Sequence, residues 1–279
     1  MMRVWLDGDM VAPEAAHISV MDRGFLLGDG VFETILVHGG RAVDLEAHLE
    51  RLASGLGVLG FAGAVDLSKL RAGLAHYLVA ESVSSAVLRL TVTRGSGPRG
   101  LVPPEAPRPA ILMSLAPPPP RETPLALRVA TTTRRNELSP CSRIKALPYL
   151  DNLVALREAR GQGADEALML NTRGTIACAS VANLFVIRDG RLETPPVSDG
   201  ALPGTMRALM LLLAASAGLV PVETSLQAAD LAAADQVFLT NSVRGAMEAG
   251  SCNGLPLQRR AGEALERLRA LVATHLGTA

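Results

Sequence analysis

Residues 116–120 read APPPP, and this segment sets the organisation of the whole sequence. Four consecutive prolines form a stiff, extended segment that can join neither a helix nor a central strand. We therefore predict a small N-terminal α/β domain at residues 1–115, a Pro-rich linker at residues 116–120 and a large C-terminal domain at residues 121–279. A chain of 279 residues is long enough for two domains.

Both sides of the linker carry strand-like and helix-like patterns. Clusters of β-branched residues at 31–37 and 87–93 predict strands, and apolar residues spaced by four and three predict a helix over 45–59. The other predicted elements are a helix at 67–80, strands at 125–131, 166–170, 184–187 and 236–240, and helices at 153–160, 206–217 and 262–275. Because the elements mix without strict βαβ alternation, we expect an α+β (mixed α/β) fold.

The composition excludes several classes of protein. Equal numbers of basic and acidic residues, 27 of each, give no basic field for nucleic acid or an anionic membrane. Cys141, Cys178 and Cys252 form no C-x-x-C motif and cannot all pair, so we expect no metal site, no disulfide framework and a cytoplasmic location. The longest apolar stretch, residues 208–222, is too short to span a bilayer and predicts a buried helix.

Lysine is rare in this sequence. The 27 basic residues include only two lysines, Lys69 and Lys145. Lys69 has the surroundings of an ordinary exposed helix residue, whereas Lys145 lies between an apolar stretch and a predicted helix. An Arg cannot be deprotonated or form a Schiff base, but a partly buried Lys can do both. Lys145 is therefore a candidate catalytic residue, with a structural role as the alternative.

Two further motifs could bind anions. Residues 95–100 read GSGPRG, but prolines follow where a dinucleotide fold needs a helix, so we reject that fold. A loop remains, whose Arg94 and Arg99 either bind a carboxylate or are simply solvated. Residues 202–207 read LPGTMR before an apolar helix, which indicates either an anion site at the helix N-terminus or a plain helix cap.

Eight motifs follow one another over nearly the whole chain: DRGFLLGDGVFETI (22–35), HLERL (48–52), IKALPYLDNLVALREA (144–159), DEALMLNTRG (165–174), ANLF (182–185), LETPP (192–196), LPGTMR (202–207) and VFLTNS (237–242). Together they resemble the class IV aminotransferase family, the fold-type IV enzymes that use pyridoxal 5'-phosphate (PLP). This family includes branched-chain and D-amino acid transaminases and 4-amino-4-deoxychorismate lyase.

The resemblance implies a role for individual residues. Lys145 would bind PLP covalently and then shuttle a proton, and Arg51 would bind the cofactor phosphate. The other residues implied at the cofactor are Tyr149, Cys178, Asn183, Thr205, Met206 and Ser242, and those implied at the substrate are Phe32, Arg94 and Arg99. The resemblance also implies a homodimer with the active site between the two domains and a loop from the partner closing it.

One position departs from the family pattern. The segment after DEALMLN-x-x-G normally supplies a Glu that pairs with the pyridine nitrogen of PLP, and here Cys178 occupies that position. A carboxylate keeps the ring nitrogen protonated and the ring strongly electron-withdrawing, whereas a neutral thiol does not. Either another acidic group, such as Asp165 or Glu166, takes this role, or the reaction needs less electron withdrawal by the PLP ring. Pro148 is a second departure, whose effect the sequence does not reveal.

Three functions are consistent with these motifs. The first is a lyase that converts 4-amino-4-deoxychorismate to pyruvate and 4-aminobenzoate, a β-elimination that demands less of the ring. The second is a transaminase that moves an amino group between a D- or branched-chain amino acid and a 2-oxo acid. The third is a PLP-binding homologue that lost its activity with the missing Glu. In each case the expected partner is a small molecule, an amine or carboxylate, with no nucleic acid and no membrane.

Overall fold

Strands on the two sides of the prolines form two separate sheets in the computed structural model, which describes residues 2–120 and 124–278. The chain divides into two units, Met1–Pro118 with Ile144–Pro148, and Pro119–Arg143 with Tyr149–Ala279. Residue 1 of the predicted first domain and residues 121–123 and 279 of the predicted second domain lie outside the described residues.

The first unit is a six-stranded antiparallel sheet with two long helices. Its elements are β1 (Val4–Leu6), β2 (Asp9–Val11), α1 (Arg23–Leu27), β3 (Gly30–His38), β4 (Arg41–Ala42), α2 (Leu45–Val58), α3 (Leu67–Glu81), β5 (Ser85–Thr93) and β6 (Ala110–Ala116). The strand order is β2-β1-β6-β5-β3-β4. Alternate residues of β3 share the core with the apolar stripe of α2, whose buried leucines are Leu49, Leu52 and Leu56.

The described residues of the second unit form a nine-stranded sheet and three helices. Its elements are β7 (Leu125–Val129), α4 (Leu150–Gly161), β8 (Glu166–Leu170), β9 (Ile176–Ala179), β10 (Asn183–Arg188), β11 (Arg191–Thr194), α5 (Thr205–Leu213), β12 (Val220–Glu223), β13 (Gln236–Asn241), β14 (Gly245–Cys252), β15 (Leu255–Pro256) and α6 (Gly262–Leu276). The strand order is β12-β11-β10-β13-β14-β7-β8-β9, and β15 pairs with β14. The rings of Phe185 and Phe238, opposite each other on β10 and β13, stack with centroids 5.3 Å apart under α5 and α6.

Most predicted elements are confirmed, and the expected mixed α/β class is correct. The buried helix predicted over residues 208–222 is wrong, because α5 ends at Leu213 and the chain then forms strand β12. Gly218, in the left-handed conformation with φ of +80°, ends the helical region. Lys69 is exposed on α3, as predicted. Within the described ranges, no helix has both the length and the apolar character to cross a bilayer.

The segment Ile144–Pro148 lies in the first unit and not, as its position after the prolines predicts, in the second. The N–H of Phe32 donates to the carbonyl of Lys145 at 2.9 Å, and the N–H of Leu147 donates to the carbonyl of Gly30 at 3.0 Å. The segment therefore extends the sheet at the start of β3, far from its own position in the sequence.

Gly95 provides a test of the loop that joins β5 to β6. Its φ is +82°, and a Cβ placed there would lie 1.8 Å from the carbonyl oxygen of Arg108. We predict that Gly95→Ala lowers the free energy of unfolding by at least about 2 kcal/mol, because both the backbone and its neighbour must move. Gly57→Ala is the matched control, since a Cβ at this position of α2 meets nothing within 4 Å. It is expected to stabilise the protein by about 0.5–1 kcal/mol. Urea unfolding measures both values, and equal effects would contradict this description of the loop.

Candidate active site

Strand β3 presents two chemically different faces. Its side chains alternate across the sheet, and Val31 and Ile35 pack into the core against α2. Glu33 shares that core face and is fully buried. Phe32 and Thr34 face the other side, where β5 contributes Arg89 directly opposite Thr34. A single strand thus carries a buried carboxylate on one face and an aromatic ring on the other.

Lys145 is held against β3 by the backbone pairing of its segment. Ala146 pairs with Val31 and joins the core, so the side chain of Lys145 points to the face of Phe32. The Nζ atom of Lys145 lies 4.3 Å from the centroid of the Phe32 ring. The fold therefore fixes the amine over an aromatic surface at the edge of the sheet.

The surroundings of Lys145 favour its neutral form. Burial is the largest cause of a fall in the pKa of its amine from 10.5 to about 8, and the positive charge of Arg51 acts in the same direction. Glu33 opposes this shift, and Arg89 adds a smaller decrease. At neutral pH a useful fraction of the amine is unprotonated, which a nucleophile or a general base requires.

Arg51 is held by a buried carboxylate. Its Nε and Nη2 atoms donate to the two oxygens of Glu33 at 2.8 and 2.5 Å, and the Nδ1 atom of His48 lies 2.6 Å from Glu33. Burial raises the pKa of Glu33, but the hydrogen bonds from Arg51 and His48 outweigh it and hold this pKa below its usual value. Glu33 therefore stays ionised and fixes the orientation of Arg51.

Arg89 lies beside the same aromatic ring as Lys145, and it is not among the site residues that the sequence predicted. Its guanidinium lies 4.0 Å from the centroid of the Phe32 ring, and the residue is exposed on the face that carries Lys145. Its signal in the sequence was a lone charge in the apolar strand AVLRLTV. Because a charge on a strand is usually a solvated residue, that signal was too weak without the register of β5 against β3.

Arg94 and Arg99 differ in their surroundings. Arg94 is only 6% exposed, and it donates to both oxygens of Asp29 at 2.7 and 3.1 Å and to the carbonyl of Leu59 at 2.5 Å. Its guanidinium also lies over the ring of Phe61. Arg99, in contrast, is exposed on the loop. Of the two arginines, Arg99 has the accessibility that a substrate-binding residue needs.

The N-terminus of α5 in the second unit is shaped by a glycine. Gly204 occupies the cap position, and no side chain among the described residues caps this nine-residue helix. A Cβ on Gly204 would lie 2.1 Å from the Oδ1 atom of Asn183, whose Nδ2 donates to the carbonyl of Leu202 at 2.9 Å. The backbone N–H groups of Thr205 and Met206 lie in the first turn, where such groups have no partner within the helix, so this helix N-terminus can attract an anion.

Two other predicted residues lie at ends of elements in the second unit. Ser242 lies in the turn between β13 and β14, where the side chain of Asn241 accepts hydrogen bonds from the N–H groups of Val243 and Arg244 at 3.1 and 2.8 Å. Tyr149 immediately precedes α4. Asn241 thus holds the conformation of the turn that presents Ser242.

Cys178 and Glu166 occupy neighbouring strands. Cys178 on β9 pairs with Met169 on β8, and its burial raises the pKa of the thiol, which keeps it neutral. Glu166 is 3% exposed and accepts hydrogen bonds from Ser180 Oγ and from the N–H groups of Ala167 and Ser180. Burial raises the pKa of Glu166 in spite of these bonds. The sequence left Glu166 as one possible substitute for the missing Glu, and the structure adds that it is buried and bonded to Ser180.

Comparisons with known proteins identify relatives over almost the whole chain. The model of the amino-transferase class IV family matches residues 30–252. The putative branched-chain-amino-acid aminotransferase of Methanocaldococcus jannaschii is 31% identical over 273 residues, which cover 96% of this chain and 94% of that protein. The aminodeoxychorismate lyase of Bacillus subtilis is 27% identical over 96% of this chain and 92% of its own length.

Solved structures give the same result. The 4-amino-4-deoxychorismate lyase from Pseudomonas aeruginosa is 32% identical and superposes with a TM-score of 0.82 over 96% of this chain and 98% of its own. A hypothetical aminotransferase from Mycobacterium tuberculosis, in its PLP-bound form, is 25% identical with a TM-score of 0.85 over 98% and 99% of the two chains. The similarity therefore includes both a lyase and aminotransferases.

The lowered pKa of Lys145 can be measured in the protein without any ligand. Trace labelling with an amine-acetylating reagent, followed by mass spectrometry of the lysine peptides, should show half-maximal reactivity of Lys145 near pH 8, since only the neutral amine reacts. We predict that Glu33→Gln moves this midpoint to lower pH, because the variant removes a negative charge that stabilises the protonated amine.

Glu46→Gln is the matched control, because Glu46 is an exposed residue paired with Arg71 on the surface. It should leave the midpoint for Lys145 unchanged. An equal shift in both variants, or a rise in Glu33→Gln, would contradict the described electrostatics.

Proposed function

Because this chain belongs to the amino-transferase class IV family of enzymes, we propose that it is a PLP-dependent lyase that releases pyruvate and 4-aminobenzoate from 4-amino-4-deoxychorismate. Enzymes of this family are PLP-dependent. The observation that carries the proposal is the neutral, buried Cys178 at the position where the family pattern has a Glu.

The residues present fit the cofactor. The first unit supplies a partly neutral amine on Lys145 and the oriented guanidinium of Arg51. The second unit supplies an uncapped helix N-terminus at Gly204, where a side chain would collide with Asn183. Thr240 on β13 pairs with Asn183 on β10. The hydroxyl of Thr240 is buried and has no hydrogen-bond partner among the described residues. Taken unit by unit, these groups are of the kind that PLP requires: an amine and an anion-binding guanidinium in the first unit, and an anion-binding helix N-terminus in the second.

We assign the cofactor-binding roles accordingly. Lys145 holds PLP covalently, and Arg51 binds its phosphate together with the backbone N–H groups of Thr205 and Met206. Asn183, Ser242, Tyr149 and Cys178 complete the residues that we assign to the cofactor.

PLP, when bound, supplies a carbonyl that condenses with amines and a ring that withdraws electrons from the bond to be broken. The protein must then move a proton. Lys145 is suited to remove the proton from the substrate carbon that bears the amine, because a pKa of about 8 leaves part of the amine unprotonated near neutral pH. Its protonated form, next to Phe32, can then assist the departure of the enolpyruvyl group.

Arg99 is the residue that we assign to the substrate carboxylate, with Arg89 and Phe32 on the face of Lys145 as further contacts. A guanidinium on an exposed loop can bind a carboxylate through two hydrogen bonds. We do not assign this role to Arg94, because Asp29 and the carbonyl of Leu59 already accept hydrogen bonds from its buried guanidinium.

The state of Cys178 supports elimination over transamination. A neutral thiol does not hold a proton on the ring nitrogen, so electron withdrawal by the ring is weaker than with a Glu. In the lyase reaction the departure of pyruvate makes the six-membered ring of the substrate aromatic. This gain in stability offsets the weaker electron withdrawal by the PLP ring. Glu166 is a second group that could influence the ring, but Ser180 and two backbone N–H groups already engage it.

The second candidate is a transaminase that moves an amino group between a D- or branched-chain amino acid and a 2-oxo acid. The observation in its favour is the 31% identity with the putative branched-chain-amino-acid aminotransferase of M. jannaschii. The third hypothesis, a homologue without activity, has no support, since the proteins compared above are named as enzymes and Lys145 keeps a reactive environment.

We also propose a homodimer in a reducing, cytoplasmic compartment. Apolar side chains are exposed in one short segment of the first unit: Ile18, Val20, Met21, Phe25, Leu26 and Leu27. Such a concentration is typical of a surface that a second protein covers. The three cysteines are unpaired in the described part of the chain, which fits a reducing compartment.

The first test separates the two reactions. Purified enzyme loaded with PLP should release pyruvate from 4-amino-4-deoxychorismate, and Lys145→Ala should reduce this rate by at least about a thousandfold, because it removes both the covalent attachment and the base. Lys69→Ala, at an exposed position, should retain full activity. Rapid conversion of bound PLP to its pyridoxamine form by D-alanine or a branched-chain amino acid would instead establish the transaminase.

The second test concerns the residue at the position of the missing Glu. We predict that Cys178→Glu raises transamination relative to elimination by about tenfold or more, since a carboxylate favours a protonated ring nitrogen. Cys178→Ser keeps a neutral group of similar size and should leave the ratio as it is. An unchanged ratio in Cys178→Glu would mean that residue 178 does not act on the ring.

A further inference from the structure

Arg23 is a buried arginine that the proposed mechanism does not use. It begins α1, and its side chain is only 5% exposed. Its Nε atom donates to Asp29 at 2.8 Å. Burying a guanidinium is costly unless each donor finds an acceptor. The acceptors of the remaining N–H donors of Arg23 therefore indicate the structural role of this residue.

Those donors bind three consecutive backbone carbonyls of the loop that carries Arg99. The Nη1 atom donates to Gly100 at 3.0 Å and to Val102 at 3.3 Å, and the Nη2 atom donates to Leu101 at 3.0 Å. Residues 100–102 are themselves exposed, with Leu101 82% and Val102 78% accessible. An exposed stretch of loop is thus held by a buried side chain, and it starts immediately after Arg99.

The carboxylate of Asp29, which pairs with Arg23, also fixes the start of this loop. Asp29 accepts hydrogen bonds from Arg94 as well as from Arg23, and the N–H of Arg23 donates to the carbonyl of Gly95 at 2.9 Å. Paired with these two cations, the carboxyl of Asp29 keeps a pKa below its usual value although burial acts in the opposite direction. Asp29 therefore stays charged and joins both sides of Arg99 to the core of the first unit.

We propose that Arg23 is a positioning residue for substrate binding: it holds residues 100–102 and thereby fixes Arg99 in the orientation that receives the substrate carboxylate. This inference rests on the proposed function of Arg99. The planar guanidinium suits the task because its donors diverge in one plane, so it can serve a carboxylate and three carbonyls at once. An ammonium has three donors on one atom and cannot span these acceptors.

A double-mutant cycle with Arg99 tests the proposal. The assay uses the holoenzyme and the substrate that the wild type turns over, either 4-amino-4-deoxychorismate or D-alanine plus 2-oxoglutarate. Arg23→Met should raise KM about tenfold and change kcat by less than about twofold. A loose loop must be ordered when the substrate binds, which weakens binding more than it slows the reaction. Arg23→Lys should give an intermediate KM. In an Arg99→Ala background, Arg23→Met should have no further effect on KM.

Trypsin gives a readout that does not depend on activity. The bond between Arg99 and Gly100 is a potential cleavage site, whereas Pro109 after Arg108 protects that position and Arg94 is buried. Arg23→Met should accelerate cleavage after Arg99 at least about tenfold in the folded protein, with an unchanged Kd for PLP. The partial variant Arg23→Lys provides the same comparison if Arg23→Met does not fold.

The possible failures are distinguishable. If Arg99→Ala raises KM but Arg23→Met does not, or if the two effects multiply independently, the inference is overturned while the role of Arg99 stands. If Arg99→Ala leaves KM unchanged, the proposed role of Arg99 fails, and the inference fails with it. If cleavage after Arg99 is as slow in Arg23→Met as in the wild type, Arg23 does not hold the loop.

Discussion

The pairing of the Lys145 segment with the start of β3 is the constraint on which the rest of the candidate site depends. Two backbone hydrogen bonds, from Phe32 to Lys145 and from Leu147 to Gly30, attach a segment that lies more than 100 residues further along the chain. They fix the amine over Phe32 and bring it into the electric field of Arg51 and Glu33. Without this pairing Lys145 would be an ordinary lysine in a connecting segment.

The charges of Arg51 and Glu33 act in opposite directions on the pKa of the Lys145 amine. Arg51 lowers the pKa of Lys145, and Glu33 both opposes that effect and holds Arg51 in place. His48 adds a contact to the carboxylate of Glu33 from the same helix as Arg51. The anion site that we propose would thus need no net positive field in this overall neutral protein, because the buried carboxylate of Glu33 orients the guanidinium of Arg51.

The sequence predicted the elements and the family, but it did not predict the contacts that assemble the site. Periodicity was sufficient for β3 and α2, and the motif of Lys145 was sufficient to single it out. The unit to which Lys145 belongs depends on a long-range strand pairing, which local patterns do not encode. Arg89 and Arg23 were missed for the same reason, since their partners come from distant strands and loops. The α-helix predicted to Ala217 ends at Leu213, a tighter helical turn follows over Ala215–Ala217, and Gly218 in the left-handed conformation ends the helical region.

The small number of lysines makes it possible to measure directly whether Lys145 binds PLP covalently. The protein is incubated with PLP, reduced with borohydride to make the linkage permanent, digested and sequenced by mass spectrometry. We predict that the pyridoxyl group is found on the peptide that contains Lys145 and that Lys69 is unmodified. A label on Lys69 alone, or no stable label at either lysine, would contradict it.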